Sequence, residues 1–184
     1  MKGQCRLFGT SEVLRESHIY PAFAVDYLKR TGSKYLRTFT RPNVRQQDGN
    51  KIRLLSHDAE QRFSKKEKWF AEKIFTPYLE GEGKSFDYDE NLFYFALSFL
   101  WRVLILHTDF TPKLKEDWCY PKLLEVENEW SKFLSKYQFP RHYHHLQLLL
   151  TDRVKSIDAE VKYPLRQPRI AILKRRSHLC PHGK

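Results

Sequence analysis

Leu54-Leu55-Ser56-His57-Asp58-Ala59-Glu60-Gln61-Arg62-Phe63-Ser64 holds the change of periodicity on which the fold turns. Ahead of it, Lys51-Ile52-Arg53-Leu54 alternates polar and apolar residues, the pattern of a half-buried strand. From Asp58 to Phe75 the repeat becomes helical, with Phe63, Phe70 and Ile74 on or near one face and Trp69 beside it. Asp58 is the expected N-cap, its carboxylate accepting from first-turn amides, with Glu60 and Gln61 inside that turn. Pro77 and the Gly81/Gly83 pair are the expected stop and the boundary between two units. A strand therefore runs straight into a helix.

Working outward, two short motifs lie upstream: Cys5-Arg6-Leu7-Phe8-Gly9, then Glu16-Ser17-His18-Ile19-Tyr20-Pro21. Residues 3–21 read as a turn followed by a short strand, and Pro21 opens a helix that runs from Ala22 until Gly32. Tyr35-Leu36-Arg37-Thr38-Phe39 alternates like a strand. Its expected partner is the Lys51–Leu54 strand, across a long basic loop that ends in Asp48-Gly49-Asn50. Downstream, Asp87 or Asp89 caps a mostly apolar helix over Glu90–His107. A third long helix spans Pro121–Tyr137, with Leu124, Trp130, Phe133 and Leu134 as its core face. His142 to Leu150 suits a strand or a short helix, and no pattern follows Arg153.

A short knuckle, a strand carrying His before apolar-x-Pro, and a second knuckle opening a helix resemble the HNH-type, treble-clef or ββα-metal nucleases. The match is closest to small bacterial HNH-like proteins that read C-x-L-C, then SHIIP, then LLC-x-x-CE-x-x-F-S; it covers Cys5 to about Phe75. The resemblance implies His18 as general base, activating water, and Glu60 beside it at a helix metal-ligand position. It implies Glu60, Glu16 and Ser64 as holders of a divalent magnesium or manganese ion, if the chain is catalytic. Ser17 stands where the ligand preceding the base is usually acidic or His, and Asn43 is the nearest candidate for the middle asparagine. Phe8, Ser56 and Ala59 occupy three of the four knuckle cysteine positions, so no structural zinc is expected and packing should fill its place.

The net charge of +11 directs the chain toward phosphate polyanions, nucleic acid before acidic membrane. After Glu160 come Lys162, Arg166, Arg169, Lys174, Arg175, Arg176 and Lys184 with no acidic residue among them. Such a tail can hold a phosphate backbone, or simply keep the chain soluble. Cations and aromatics also interleave around the hairpin. Arg37, Arg41, Arg45, Lys51 and Arg53, with the tail's Lys174, Arg175 and Arg176, are the expected nucleic-acid contacts. The clusters His142/His144 and His178/Cys180/His182 read as a solvated basic edge and an adventitious metal binder. Lys65-Lys66-x-Lys68 reads as an exposed helix face.

The three cysteines are scattered, which argues against a disulfide framework and for a cytoplasmic protein. No apolar run follows Met1, so no secretory signal is expected, and Leu92–Leu106, broken by Ser98 and Arg102, reads as a buried helix, with no membrane partner. The expected fold is α+β: an HNH-like treble-clef core over residues 1–80, a helical cap over 84–150 and a basic tail over 151–184. The expected function is that of a DNA- or RNA-directed protein of HNH ancestry, acting as a metal-dependent phosphodiesterase. The alternative is a non-catalytic nucleic-acid- or protein-binding module on the same scaffold.

Overall fold

In the computed structural model, residues 2–32, 35–38, 41–81, 85–138 and 172–175 are described. The strand ahead of the long helix finds its partner far upstream. In chain order the N-terminal elements are β1 (Lys2–Gln4), β2 (Ser11–Val13), β3 (Arg15–His18), α1 (Ala22–Thr31), β4 (Leu36–Thr38), β5 (Arg41–Gln46) and β6 (Lys51–Leu55). β1 pairs with β2, and Cys5 N–H to Thr10 O and Gly9 N–H to Cys5 O close the turn between them. β6 pairs antiparallel with β3, setting Glu16 against Arg53, Ser17 against Ile52 and His18 against Lys51.

The expected hairpin between Tyr35–Phe39 and Lys51–Leu54 is therefore corrected. Arg41–Gln46 is itself a strand and pairs with Leu36–Thr38 instead. Alternation set the faces of Lys51–Leu54 properly but carries no information about partners. Pairing with β3 satisfies both faces of β6: the Glu16–Arg53 ion pair lies toward solvent, while Ser17 is buried across from half-buried Ile52.

Beyond β6, α2 (His57–Phe70) begins earlier than expected, with Ser56 and not Asp58 as N-cap. Leu55 is fully buried, so the chain turns into the helix at once, and Asp58 falls inside the first turn with Glu60. Pro77 does not end the helix. A π-helical turn, Ala71–Phe75, precedes α3 (Thr76–Glu80), and Gly81 in the left-handed conformation (φ 77°) stops it. Proline lacks an amide donor and collides with the carbonyl one turn back, and a widened turn ahead of it accommodates both.

β7 (Ser85–Tyr88) leads to α4 (Glu90–Phe110), capped by Asp89, whose carboxylate accepts from the Asn91 amide at 2.8 Å. A 3-10 turn (Pro112–Glu116) joins it to α5 (Tyr120–Lys136), and β8 (Ile172–Arg175) lies parallel to β7. The fold is thus mixed α+β, with N-terminal hairpins and C-terminal helices. One apolar cluster joins Cys5, Leu7, Leu55, Ala59 and Phe63 to Tyr94, Leu97, Trp101, Ile105, Phe133 and Leu134, so the knuckle, α2, α4 and α5 share a core. A second gathers around the stacked rings of Phe70 and Phe95, 4.1 Å apart, with Phe23 of α1 against them. Among the described residues α4 is the one helix long and apolar enough to cross a membrane, and half of that apolar stretch is buried inside the protein.

Two features fix the end of α5. Arg62 of α2 donates to its last carbonyls, Leu134 O (3.1 Å) and Ser135 O (2.8 Å), where a cation complements the helix end. Tyr137, just beyond, holds φ at 56°, a conformation that costs a non-glycine residue about 1 kcal/mol. Leu124, expected in the core face of α5, is exposed. His142–Leu150 and most of the tail lie outside the described residues.

Trp101 is fully buried at the centre of the shared core. Trp101→Ala should lower unfolding free energy by about 3–5 kcal/mol in urea titration. Wild-type protein should unfold in a single transition, and separate transitions for residues 1–80 and the helices would contradict a shared core.

Candidate functional site: a buried arginine among carboxylates

Alternation along β3 sends Glu16, Ser17 and His18 to different surroundings. Glu16 is exposed, 3.5 Å from Arg53. Ser17 is fully buried, and His18 is half-buried at the strand end. The Asp48 carboxylate accepts the Nε2–H of His18 at 3.3 Å. Asp48 also accepts from Lys51 and from the Gly49 amide (2.9 Å), with Lys29 4.0 Å away. The Lys51 hydrogen bond, helped by Gly49 and His18 and opposed by desolvation, holds the Asp48 carboxyl down at about 2.

Below Ser17 the first turn of α2 brings up Glu60. Burial pushes its carboxyl above the ordinary range; the Ser17 hydroxyl and the charges of Arg102 and His18 oppose that, and Glu67 adds to it. The Ser17 hydroxyl lies close enough to act on the carboxylate, yet neither it nor Glu60 Oε1 completes a hydrogen bond among the described residues.

The cation of this site is Arg102, in the middle of α4 and 2% exposed. Its Nε donates to Ser98 O (3.2 Å), Nη1 to the His18 carbonyl (2.7 Å) and Nη2 to Glu67 Oε1. The guanidinium carbon lies 5.5 Å from the centre of the Phe63 ring. One side chain thus ties α4 to α2 and to the end of β3. A buried charge is tolerated when it is paired and hydrogen-bonded, and each guanidinium nitrogen here has an acceptor.

Of the residues expected to hold a divalent ion, Glu60 is half-buried here, Glu16 is engaged with Arg53 in solvent, and Ser64 is exposed. Among the described residues no three His, Cys, Asp or Glu side chains group as a metal site. Magnesium and manganese need several anionic or neutral oxygens around them. Here the Glu67 carboxylate is already bonded to the Arg102 guanidinium and Glu60 lies beside the same cation, so these residues do not fit such an ion. At the knuckles, the Ser56 amide donates to Cys5 Sγ (3.3 Å), Ala59 is fully buried, and half-buried Phe8 lies under Arg62 at 5.0 Å. Side-chain packing brings these positions together.

The expected nucleic-acid contacts divide. Arg45 is exposed and stacks over the Tyr35 ring at 5.3 Å. Lys51 is paired with Asp48, and Arg53 with Glu16. Asn43 is exposed on β5. The side chains of Arg37, Arg41, Lys174 and Arg175, and all of Arg176, lie outside the described residues. Sequence reasoning missed Arg102 and Glu67. The signal was present in Arg102, a full charge inside an apolar helix, which requires a buried partner. Comparison of the chain with protein-family models, curated proteins and solved structures gives no match.

Glu60 holds its proton more tightly folded than unfolded. Its contribution is therefore fully present below the unfolded carboxyl value near 4.5 and is lost as pH rises through the folded one. Glu60→Gln should accordingly match wild type in melting temperature near pH 4 and exceed it at neutral pH. Equal pH slopes for the two proteins would contradict this. Arg102→Met should lower stability by about 3–5 kcal/mol at neutral pH by chemical denaturation, since it strands Glu67 beside Glu60. Adding Glu67→Gln to Arg102→Met should recover part of that loss.

Proposed function

We propose that this chain is a non-catalytic, nucleic-acid-binding module on an HNH-like scaffold, in which an internal arginine stands in place of a catalytic cation. The observation that carries the reading is the Arg102 guanidinium, buried beside Glu60 and bonded to Glu67 and to the carbonyl of His18. A knuckle (Cys5–Gly9), a strand ending in His18, its partner β6 and the helix after it follow the order of parts in the ββα-metal arrangement. The backbone bond Arg6 N–H to Leu54 O and the Ser56–Cys5 contact support a treble-clef reading, because they hold the two knuckles side by side. The positive guanidinium disfavours a second cation where Glu60 would have to bind it.

Nucleic-acid binding rests on the charge of +11 and its placement. Of the cations on the β3–β6 pair, Lys51 and Arg53 are countered by Asp48 and Glu16, whereas Arg45 on β5 is exposed over an aromatic ring. The basic tail strand β8 is carried on β7. Phosphate contacts of this kind give affinity without sequence preference.

Fluorescence anisotropy with labelled DNA and RNA across a salt series tests the reading. Affinity should fall log-linearly with salt, and changing Lys174, Arg175 and Arg176 together to Gln should flatten the slope. Plasmid should stay intact in magnesium or manganese under binding conditions, and His18→Ala should bind as wild type does. Cleavage that needs a divalent ion and disappears in His18→Ala would establish the phosphodiesterase instead. Salt-independent binding, or none, would remove nucleic acid as the partner.

A further inference from the structure

The polar face of α2 opens into a groove of about 580 Å³ on the side of the helix away from the buried cluster of Arg102 and Glu60. Asp58, Gln61, Arg62, Lys65, Lys66 and Trp69 line it, at helical spacings of three and four that place them on one face. Asn91 from the start of α4 and Tyr137 from the end of α5 complete it. The lysines read from sequence as a plain solvated face divide here. Lys65 and Lys66 line the groove, while Lys68 pairs with Glu72 elsewhere.

Three cations thus face one carboxylate, Asp58. The two that are engaged are held by uncharged acceptors: Arg62 by the Leu134 and Ser135 carbonyls, and Lys66 by the Asn91 amide oxygen at 2.5 Å. Lys66 also lies 5.4 Å from the Tyr94 ring centre. These bonds fix the positions of the cations without cancelling their charge. Lys65 is exposed and has no acidic partner among the described residues.

The aromatic residues are equally specific. Trp69 is half-buried, packing on the Phe70–Phe95 cluster while lining the groove. Tyr137 is the one non-glycine residue at positive φ among the described residues, at a helix end where glycine is the ordinary occupant. Its ring packs at 5.5 Å from Tyr94 and 6.0 Å from Phe133 and remains 48% exposed. A strained backbone thus holds an aromatic ring at the rim. The register of β8 on β7 sets Arg175 against Tyr88, just ahead of Asn91, so the basic tail's backbone passes close to the start of α4.

We infer that this groove is a subsite for single-stranded nucleic acid, with a base stacking on Trp69 or Tyr137 and its phosphates held by Arg62, Lys65 and Lys66. A flat π-face beside fixed, unneutralised cations suits an unpaired nucleotide, because every base offers a ring to stack and every linkage a charge. A duplex keeps its bases inside and presents only phosphate. The inference rests on the proposed nucleic-acid binding and names the form of nucleic acid.

The test uses the full chain and a labelled single strand of about ten nucleotides, with its duplex for comparison. The single strand should bind more tightly than the duplex and quench tryptophan fluorescence. Trp69→Ala should weaken it roughly tenfold, and Lys65→Glu, on an exposed position, should weaken it and flatten the salt slope while leaving the melting temperature unchanged. Tyr137→Gly, which suits the left-handed backbone, should also weaken it. Wild-type affinity in Lys65→Glu and Trp69→Ala would overturn the groove and leave the broader reading standing. Failure of wild type to bind any nucleic acid would overturn both. Polyglutamate competing as well as an oligonucleotide of equal charge would replace base stacking by acidic-peptide binding and overturn the inference.

Discussion

A guanidinium held away from water between three elements is the constraint on which the rest of this structure depends. Arg102 reaches from α4 to Glu67 on α2 and to the carbonyl of His18 at the end of β3. Removing an ion from water costs several kcal/mol, and only a complete set of hydrogen bonds offsets that. Apolar contacts tolerate a helix sliding or rotating slightly, but a buried charge does not. Arg102 therefore sets the register of α4 on α2 and the depth at which the β3–β6 pair sits against both. Phe63, Leu97 and Trp101 then pack in positions the ionic contact has already defined.

The same contact reorganises the chemistry of the place it occupies. Around a divalent ion, carboxylates gather as anions and a neighbouring imidazole stays free to act on water. Around Arg102, Glu67 takes the direct bond, while Glu60 lies at a remove, desolvated and inclined to keep its proton. His18 meanwhile faces Asp48. The carboxylates and the cation here serve to clamp α4 onto α2 and the end of β3.

The long helices were readable from sequence because a core-facing stripe repeats with the helical period, and Asp89 followed the capping rule. The pairing of β6 was not readable: alternation tells which side of a strand is wet, not which distant strand lies beside it. The start of α2 at His57 was missed because Ser and Asp cap about equally well, and only the burial of Leu55 favours Ser56. Pro77 was read as a stop because sequence rules treat proline alone, without the widened turn that precedes it. His18, Ser17 and Glu60 were singled out by a resemblance of motifs, whereas Arg102 and Glu67 belong to no motif. They are recognisable only once two helices are side by side. The groove on α2 escaped for the same reason, since Asn91 and Tyr137 come from other helices.

The pairing of β7 with β8 carries a consequence for the order of assembly. Ser85 meets Ile172 across a stretch of chain longer than any other strand connection here, and closing so long a loop is slow. The shared core requires nothing beyond α5, so it can form before residues 172–175 leave the ribosome. The chain's most cationic segment then docks last, onto a body already folded.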